Sequence, residues 1–360
     1  MNIYGAARAI HQILAGYADG DAISNEARWL REIFRRAGHR SEIYADPSRV
    51  SPSLKTDCRS LVDYAARSGD LCLYHYGIAS PATEVFLATP AKKIMVYHNI
   101  TPTEYFTGFD DTVAAQLRAA RVALRETARR TDAIWADSQF NAAELKAEGI
   151  DGVKVFPLLF LPERLDMPPE PLILEKFAGP LKNILFVGRI VPNKRIEDLI
   201  LAFAWFHMVI NPFSRLIIVG SHRSAPRYLT MLRMLVGDLD LPNVCFEDFA
   251  SPAGLLAYYR VADLFVSTSA HEGYCLPLVE AMNHGIPVIA HAAGGMPEAM
   301  DGAGVLYEDL APTELGALFD RVLTDAVLRK EVLASQRQRV LRAQDRNLEA
   351  EVKTLMDGML

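Results

Sequence analysis

Short apolar runs alternate with segments whose apolar residues recur every three or four positions, almost from one end of the chain to the other. In the first half RAIHQI, SEIYAD, DLCLYHYG, KKIMVYHNI, DAIWADS and VKVFPLL have the length and the β-branched or aromatic content of strands. Between several of them lie segments with helical periodicity, such as Ala22–Ala37 and Thr112–Thr131. The second half repeats the pattern. NILFVG, RLIIVG, NVCFEDF, DLFVSTS, PVIAHA and GVLYED read as strands, and helices are expected over Arg195–Ile210, Arg227–Leu239, Pro252–Val261 and Pro277–His284. Apolar strands joined by amphipathic helices belong in parallel sheets covered on both faces. The expectation is an α/β chain of doubly wound sheets.

Between the halves lies LLFLPERLDMPPEPLILEKFAGP, with five prolines and no sustained period. It reads as an interdomain linker and divides the chain into an N-terminal domain, 1–165, and a C-terminal domain, 166–340. A last helix, 341–360, is expected to pack back toward the N-terminal domain. A length of 360 residues suits two cores better than one. Ligands of doubly wound sheets bind beyond the carboxyl ends of the strands, so chemistry is sought at strand tips and in a cleft between the domains.

Composition narrows the classes. The chain carries 38 basic and 44 acidic residues, a net charge of −6, which argues against nucleic acid as a partner. Cys58, Cys72, Cys245 and Cys275 form no CxxC pair and no metal-ligand spacing, as expected of a reducing cytoplasm. Arg8 and His11 interrupt the apolar stretch of MNIYGAARAIHQI, which therefore does not read as a signal peptide. The longest apolar run, Leu199 to Ile210, is too short to span a bilayer and reads as a buried helix. Any membrane contact is then peripheral, at the inner face.

Three stretches carry candidate chemistry. Strand NILFVG ends in GRIVPNKR, which sets Arg189 and Lys194 just beyond its tip, where two cations suit a diphosphate. An exposed loop also carries such charges. The second stretch, HEGYCLPLVE, follows strand DLFVSTS. Gly273 allows a close turn, and Pro277 suits the first position of a helix. The amides from Tyr274 to Leu278 then face outward at the positive end of the helix dipole, ready for phosphate. Glu280, one turn in, can accept two bonds from a vicinal diol such as ribose, and Glu272 can accept from a sugar hydroxyl. The same two glutamates also fit a dipole-complementing Glu280 and a capping Glu272. The third stretch, AAGGMPE, offers the amides of Gly294 and Gly295 to an anion nest. In the N-terminal half, Gly16 and Gly20 bracket the loop before a helix that Asp21 can cap; the loop is not a GxGxxG fingerprint, so NAD is not implied. His98 ends strand KKIMVYHNI and can bond a substrate hydroxyl or support proton transfer.

Taken in order, GRIVPNKR, VGSHR, HEGYCLPLVEAM and HGIPVIAHAAGGMPE, preceded by ADSQFNAAEL, resemble the retaining glycosyltransferases of family 4, the glycosyl transferases group 1. The resemblance spans nearly the whole chain. It implies the GT-B fold, two Rossmann-like domains with a cleft between them. It also implies roles: Arg189 and Lys194 on the donor diphosphate, Glu280 on the ribose, and Glu272 on the transferred sugar with the amides of Gly273, Tyr274 and Cys275. Leu276 and Pro277 lie at the diphosphate, Phe249 near the base and Gly188 at the strand tip. His98 approaches sugar and acceptor, and Gly20 belongs to a loop closing over the phosphates. The chain departs from the family pattern at Asp248, where glycine is usual, and at DGDA, where a glycine pair is usual. Enzymes of this kind need no divalent metal and no cofactor besides the nucleotide-sugar substrate, so Asp238 and Asp240 read as a solvated helix end.

HQI…GDAISNEARWLREIF and YHNITPTEYF further resemble enzymes of bacterial surface-polysaccharide assembly, several of them mannosyltransferases. The implied activity is a retaining hexosyltransferase moving mannose from GDP-mannose, or a hexose from a UDP-sugar, to a glycan or polyprenyl-diphosphate-linked acceptor. No carboxylate is placed as a nucleophile, so displacement on the front face of the sugar is expected. Arg118, Arg121, Arg125 and Arg129, three or four apart, form a stripe that can touch an anionic membrane or simply be solvated. Two other readings fit the architecture: a nucleotide-sugar epimerase, and a non-catalytic partner that keeps the fold.

Overall fold

The computed structural model describes residues 8–162 and 167–359. They form two compact units. Unit 1 contains the residues up to Thr103, Ala114–Leu159 and the tail from Arg346; unit 2 contains Glu104–Val113 and Phe160–Asp345. The expected boundary between Leu165 and Asp166 lies outside the described residues. Segment 104–113 clusters with unit 2, although a division by sequence leaves it in the N-terminal half.

Unit 1 is built on a seven-stranded sheet. Its strands are β1 (Ile10–Leu14), β2 (Ile43–Ala45), β3 (Arg59–Ser60), β4 (Leu71–Tyr76), β5 (Lys92–Tyr97), β6 (Ala133–Ala136) and β7 (Lys154–Val155). They lie in the order β3-β2-β1-β4-β5-β6-β7, and every pairing is parallel. All residues of β1 and β4 are buried, which is why their sequences show no alternation. Helix Ala22–Arg36 starts where Asp21 accepts from the Ser24 amide, the cap expected from sequence, and it buries Ala27, Leu30, Ile33 and Phe34. The final helix, Leu348–Met356, buries Val352, Leu355 and Met356. Lys92 and Lys154 reach its carboxyl end, donating to the carbonyls of Met359 (3.0 Å) and Leu355 (3.3 Å).

Unit 2 holds a six-stranded parallel sheet, β8 (Lys182–Val187), β9 (Ser214–Val219), β10 (Val244–Glu247), β11 (Leu264–Ser267), β12 (Val288–His291) and β13 (Val305–Tyr307). Its order is β10-β9-β8-β11-β12-β13, so the winding reverses between β8 and β11. In unit 1 the reversal falls between β1 and β4. The helix expected over Arg195–Ile210 is α-helical from Ile196 to Trp205 and ends in a π-helical turn, Phe206–Ile210. Most of the run is buried through His207, with Leu201 and Trp205 partly exposed, while Met208 and Val209 emerge at its end. No helix among the described residues is long and apolar enough to cross a membrane. All four cysteines are free.

Candidate active site

The two reversal points are where open α/β sheets hold ligands, and each carries a polar cluster. In unit 2 the loops after β8 and β11 meet there. The β8 loop makes a short turn at Pro192–Lys194 and leaves it through Arg195 in the left-handed region, φ 50°. The β11 loop grips it. Thr268 donates to the carbonyls of Lys194 (3.1 Å) and Arg195 (2.9 Å), Ala270 donates to the Asn193 carbonyl (2.9 Å), and the Asn193 amide side chain donates to the His271 carbonyl (2.9 Å). Asn193, Thr268 and Ser269 are buried. This framework brings Lys194 onto Glu272, in an ion pair whose side chains are each 12% exposed. Ser269 also donates to Glu272, at 2.9 Å. Burial pushes the neighbouring Cys275 thiol well up, with Glu272 adding to the effect.

Glu272 and its neighbours are held from behind by the glycine pair. Gly295 donates its amide to the Glu272 carbonyl at 2.8 Å. A Cβ at Gly294 would sit 2.4 Å from that carbonyl oxygen, and one at Gly295 would sit 2.1 Å from the carbonyl of Gly273. These glycines therefore serve a backbone-to-backbone approach, and the Gly295 amide is engaged inside the protein, not open in an anion nest as its sequence suggested. A similar need fixes Gly220, whose Cβ would lie 1.9 Å from the carbonyl of Gly188.

The helix after Glu272 spans Leu276–Asn283, so Pro277 is its second residue rather than its first. Cys275 precedes it with φ 78°, a conformation that bulky side chains avoid and that the surrounding bonds hold in place. Leu278 donates back to the Cys275 carbonyl at 3.2 Å, which removes that amide from the expected anion site. The amides of Cys275 and Leu276 have no acceptor among the described residues. Glu280, one turn in, accepts from the buried Tyr259 hydroxyl at 2.7 Å. Burial and this carboxylate hold the Tyr259 pKa well above its ordinary value. Tyr274 is anchored by the buried Arg339, which donates to its hydroxyl (2.8 Å) and to the carbonyl of Ala299 (2.9 Å). Arg189 is exposed and makes no ion pair among the described residues. Gly188 sits at the end of β8, and Phe249, 46% exposed, follows β10. Unit 2 thus gathers a free cation, a paired cation, two placed carboxylates and two open amides around one reversal point.

Unit 1 holds a different cluster. Gln12 on β1, His75 on β4, His98 after β5, Asp137 after β6 and Glu26 on helix Ala22–Arg36 converge, with the side chains of Glu26, His75, His98 and Asp137 no more than 3% exposed. His98 bonds Asp137 through Nδ1 at 2.9 Å and His75 through Nε2 at 2.7 Å. Burial works to lower the His98 pKa, but Asp137 and then Glu26 outweigh it and raise it to about 9. Burial raises the Glu26 carboxyl to about 8 against the pull of His98. Both ring nitrogens of His98 are engaged inside unit 1, so the ring offers no acceptor to a substrate. Glu26, His75 and His98 present atoms within 4.8 Å of one another, as three ligands of a metal would. The nitrogens concerned are bonded to each other here. Gly20, φ 69°, ends the loop before Asp21. Sequence reading singled out neither Gln12, Glu26, His75 nor Asp137 as site residues. Their signal was a polar residue in a segment otherwise buried.

Residues 175–339 match the family model of glycosyl transferases group 1. This stretch of the chain resembles that group. The serotype-specific mannosyltransferase WbdA of Escherichia coli is 25% identical to this chain over 276 residues, 72% of this chain and 32% of WbdA. A D-inositol 3-phosphate glycosyltransferase of Thermomonospora curvata is 36% identical over 162 residues, 42% of this chain and 37% of the relative. The chain thus spans about a third of the length of these curated relatives. Anabaena HepE, solved in complex with UDP-glucose, superposes with a TM-score of 0.70 at 20% identity, covering 97% of this chain and 99% of that one. That likeness establishes the GT-B fold of the chain, with its two parallel-sheet Rossmann-like units.

Proposed function

We propose that the protein is a retaining hexosyltransferase that uses a nucleotide-sugar donor held by unit 2. The observation that carries this reading is the Lys194–Glu272 pair at the β8/β11 reversal, with Arg189 unengaged and the Cys275 and Leu276 amides open beside it. Arg189, Lys194 and those amides supply positive charge for a diphosphate; Glu280 supplies acceptors for ribose hydroxyls; Glu272 accepts from the sugar. Phe249 flanks the base, and Gly188 leaves room for backbone near the phosphates. In the transfer, the bond from the anomeric carbon to the diphosphate oxygen breaks and the acceptor oxygen bonds the same face. The acceptor's proton passes to the departing diphosphate, whose growing negative charge Arg189 and Lys194 hold without a divalent metal.

Mannose from GDP-mannose is the first donor, a choice supported by the mannosyltransferase name of WbdA; a UDP-sugar is the second, supported by the UDP-glucose complex of HepE. The acceptor is a glycan or a polyprenyl-diphosphate-linked glycan in surface-polysaccharide assembly. The test is a melting-temperature screen against GDP, UDP, ADP and dTDP, followed by anomeric NMR of the product formed from the matching sugar nucleotide. One diphosphate should stabilise the protein and the product should keep the donor's configuration. If no diphosphate shifts the melting curve, the reading fails in favour of a non-catalytic partner; an epimer formed without acceptor would favour an epimerase.

A further inference from the structure

The hydrogen bonds of unit 1 have a direction that can be worked out atom by atom. Gln12 Nε2 lies 2.7 Å from the Ala27 carbonyl, which only accepts, so the amide nitrogen faces it and Oε1 faces the other way. Oε1 lies 2.9 Å from His75 Nε2. An amide oxygen cannot donate, so His75 Nε2 carries the hydrogen. Burial lowers the His75 pKa well below its ordinary value, so this ring is neutral and its Nδ1 is an acceptor. The atom 2.7 Å from that acceptor, His98 Nε2, must therefore donate. The other His98 nitrogen, Nδ1, faces Asp137 Oδ2 at 2.9 Å. Between an imidazole and a carboxylate the proton rests on the imidazole, whose intrinsic pKa is higher by about 2.5 units. Both nitrogens of His98 then carry hydrogens.

We propose that Gln12 and His75 are positioning residues that hold His98 as an imidazolium, so that His98 is a fixed cation inside unit 1 and cannot act as a base for an acceptor's proton. The sense of the hydrogen-bond chain, Gln12 to His75 to His98, decides the charge. The groups facing His98 are Asp137 after β6, His75 on β4, and Glu26 and Asp21 on and before helix Ala22–Arg36; Arg346 acts on Glu26. Its bearing on transfer, that this ring is not the base, rests on the function proposed above; the charge does not. A base at His98 would titrate near neutrality, whereas this ring keeps its proton through that range.

The test reads the ring directly. Long-range proton–nitrogen NMR of the histidine-labelled full chain should show both His98 ring nitrogens protonated, unchanged from about pH 6 to 8. A wild-type spectrum with one unprotonated His98 nitrogen at neutral pH overturns the proposal. His75→Phe removes the acceptor and should give a His98 that becomes neutral above about pH 7, with a new ionisation in the kcat profile, while His75→Gln, which restores an acceptor oxygen, should remove both. If both variants keep the wild-type His98 signals, Gln12 and His75 do not position it and that part falls. Should His75→Phe not fold, Gln12→Met, which removes the acceptor of His75 together with the bond to the Ala27 carbonyl, carries the same comparison. A doubly protonated His98 in a protein that transfers no sugar would sink the proposed function and leave the charge assignment standing.

Discussion

The two reversal points are built to opposite plans. In unit 2 the polar groups are half-open: Arg189 stands exposed, the Cys275 and Leu276 amides are unused, and Lys194 and Glu272 hold each other. In unit 1 the cluster is closed, with both nitrogens of His98 committed to Asp137 and His75. An open site keeps bonding capacity for a ligand. A closed one fixes a charge and a shape. The difference teaches which residues should fail by losing substrate and which by losing their own arrangement.

The largest effect is expected at the open site. Lys194→Ala removes a cation facing the proposed leaving group and should lower kcat/KM by roughly 100-fold or more, the loss seen when one oxyanion-stabilising donor is removed. Steady-state transfer assays with melting curves would check it. Near-normal turnover in a folded variant would separate Lys194 from the chemistry and leave the ion pair as structure alone.

Next in size is the support behind that site. Gly295→Ala puts a methyl group 2.1 Å from the Gly273 carbonyl, and backbone must move. Overpacking of this kind costs about 1–3 kcal/mol, and it should also weaken nucleotide binding, because the displaced residues are those next to Glu272. Gly285→Ala, where a Cβ meets nothing within 4 Å, is the paired control for the loss of space, though its φ of 69° retains some strain. Equal destabilisation by the two variants would remove the claim that close backbone approach holds the site.

The contrast between the units also explains what sequence could reveal. Unit 2 was legible because its site lies in contiguous motifs: a strand, a turn and a helix start written within a dozen or so positions. All six of its strands were readable as apolar runs, and burial on both faces leaves β9, β11 and most of β8 and β12 without ambiguity of period. Unit 1's cluster was not legible in the same way. Its members come from five separate elements and form no local motif: Gln12 sits inside IHQIL, His75 inside LCLYHY, and Glu26 among other polar residues of its helix. Only strand order brings them together. Strand β3 escaped notice because Arg59–Ser60 carries no apolar signal; it pairs through backbone alone with Tyr44–Ala45. Likewise the helix-start amide of Leu278 looked free, because its turn back to Cys275 depends on a left-handed backbone that a cysteine does not announce.

A smaller effect, visible as a slope, should come from the closed cluster. The folded-state pKa of His98, about 9, lies above the ordinary imidazole value. The sign follows: the stabilisation it contributes is fully present below about pH 6.5 and is lost as pH rises through about 9. Glu26, raised to about 8, acts in the same direction, losing its contribution as pH climbs from the ordinary carboxyl range. Melting temperature should therefore fall from neutral toward alkaline pH, and Asp137→Asn should flatten that fall by returning His98 toward neutrality. A wild-type curve flat over this range would contradict the imidazolium.

The smallest effect separates two arginines of one stripe. Arg118, Arg121, Arg125 and Arg129 share a spacing that suggested a membrane-facing row, but their partners differ. Arg121 is half-buried: it pairs with Glu144 at 2.6 Å and donates to the Ile100 carbonyl at 2.7 Å, and Glu144 in turn accepts from Tyr97 and Asn99, the residues flanking His98. Arg125 pairs with Glu148 at 2.9 Å from an exposed position. Removing an exposed pair costs less than about 1 kcal/mol, whereas removing a cation from a partly buried network leaves a carboxylate without its counter-charge. Arg121→Ala should thus lower the melting temperature more than Arg125→Ala, and only Arg118, Arg125 and Arg129 have side chains exposed enough to meet anionic lipid. Flotation with vesicles containing about one-third anionic lipid tests the remaining three together: if charge reversal at Arg118, Arg125 and Arg129 leaves flotation unchanged, the row is a solvated helix face, and its one structural member is Arg121.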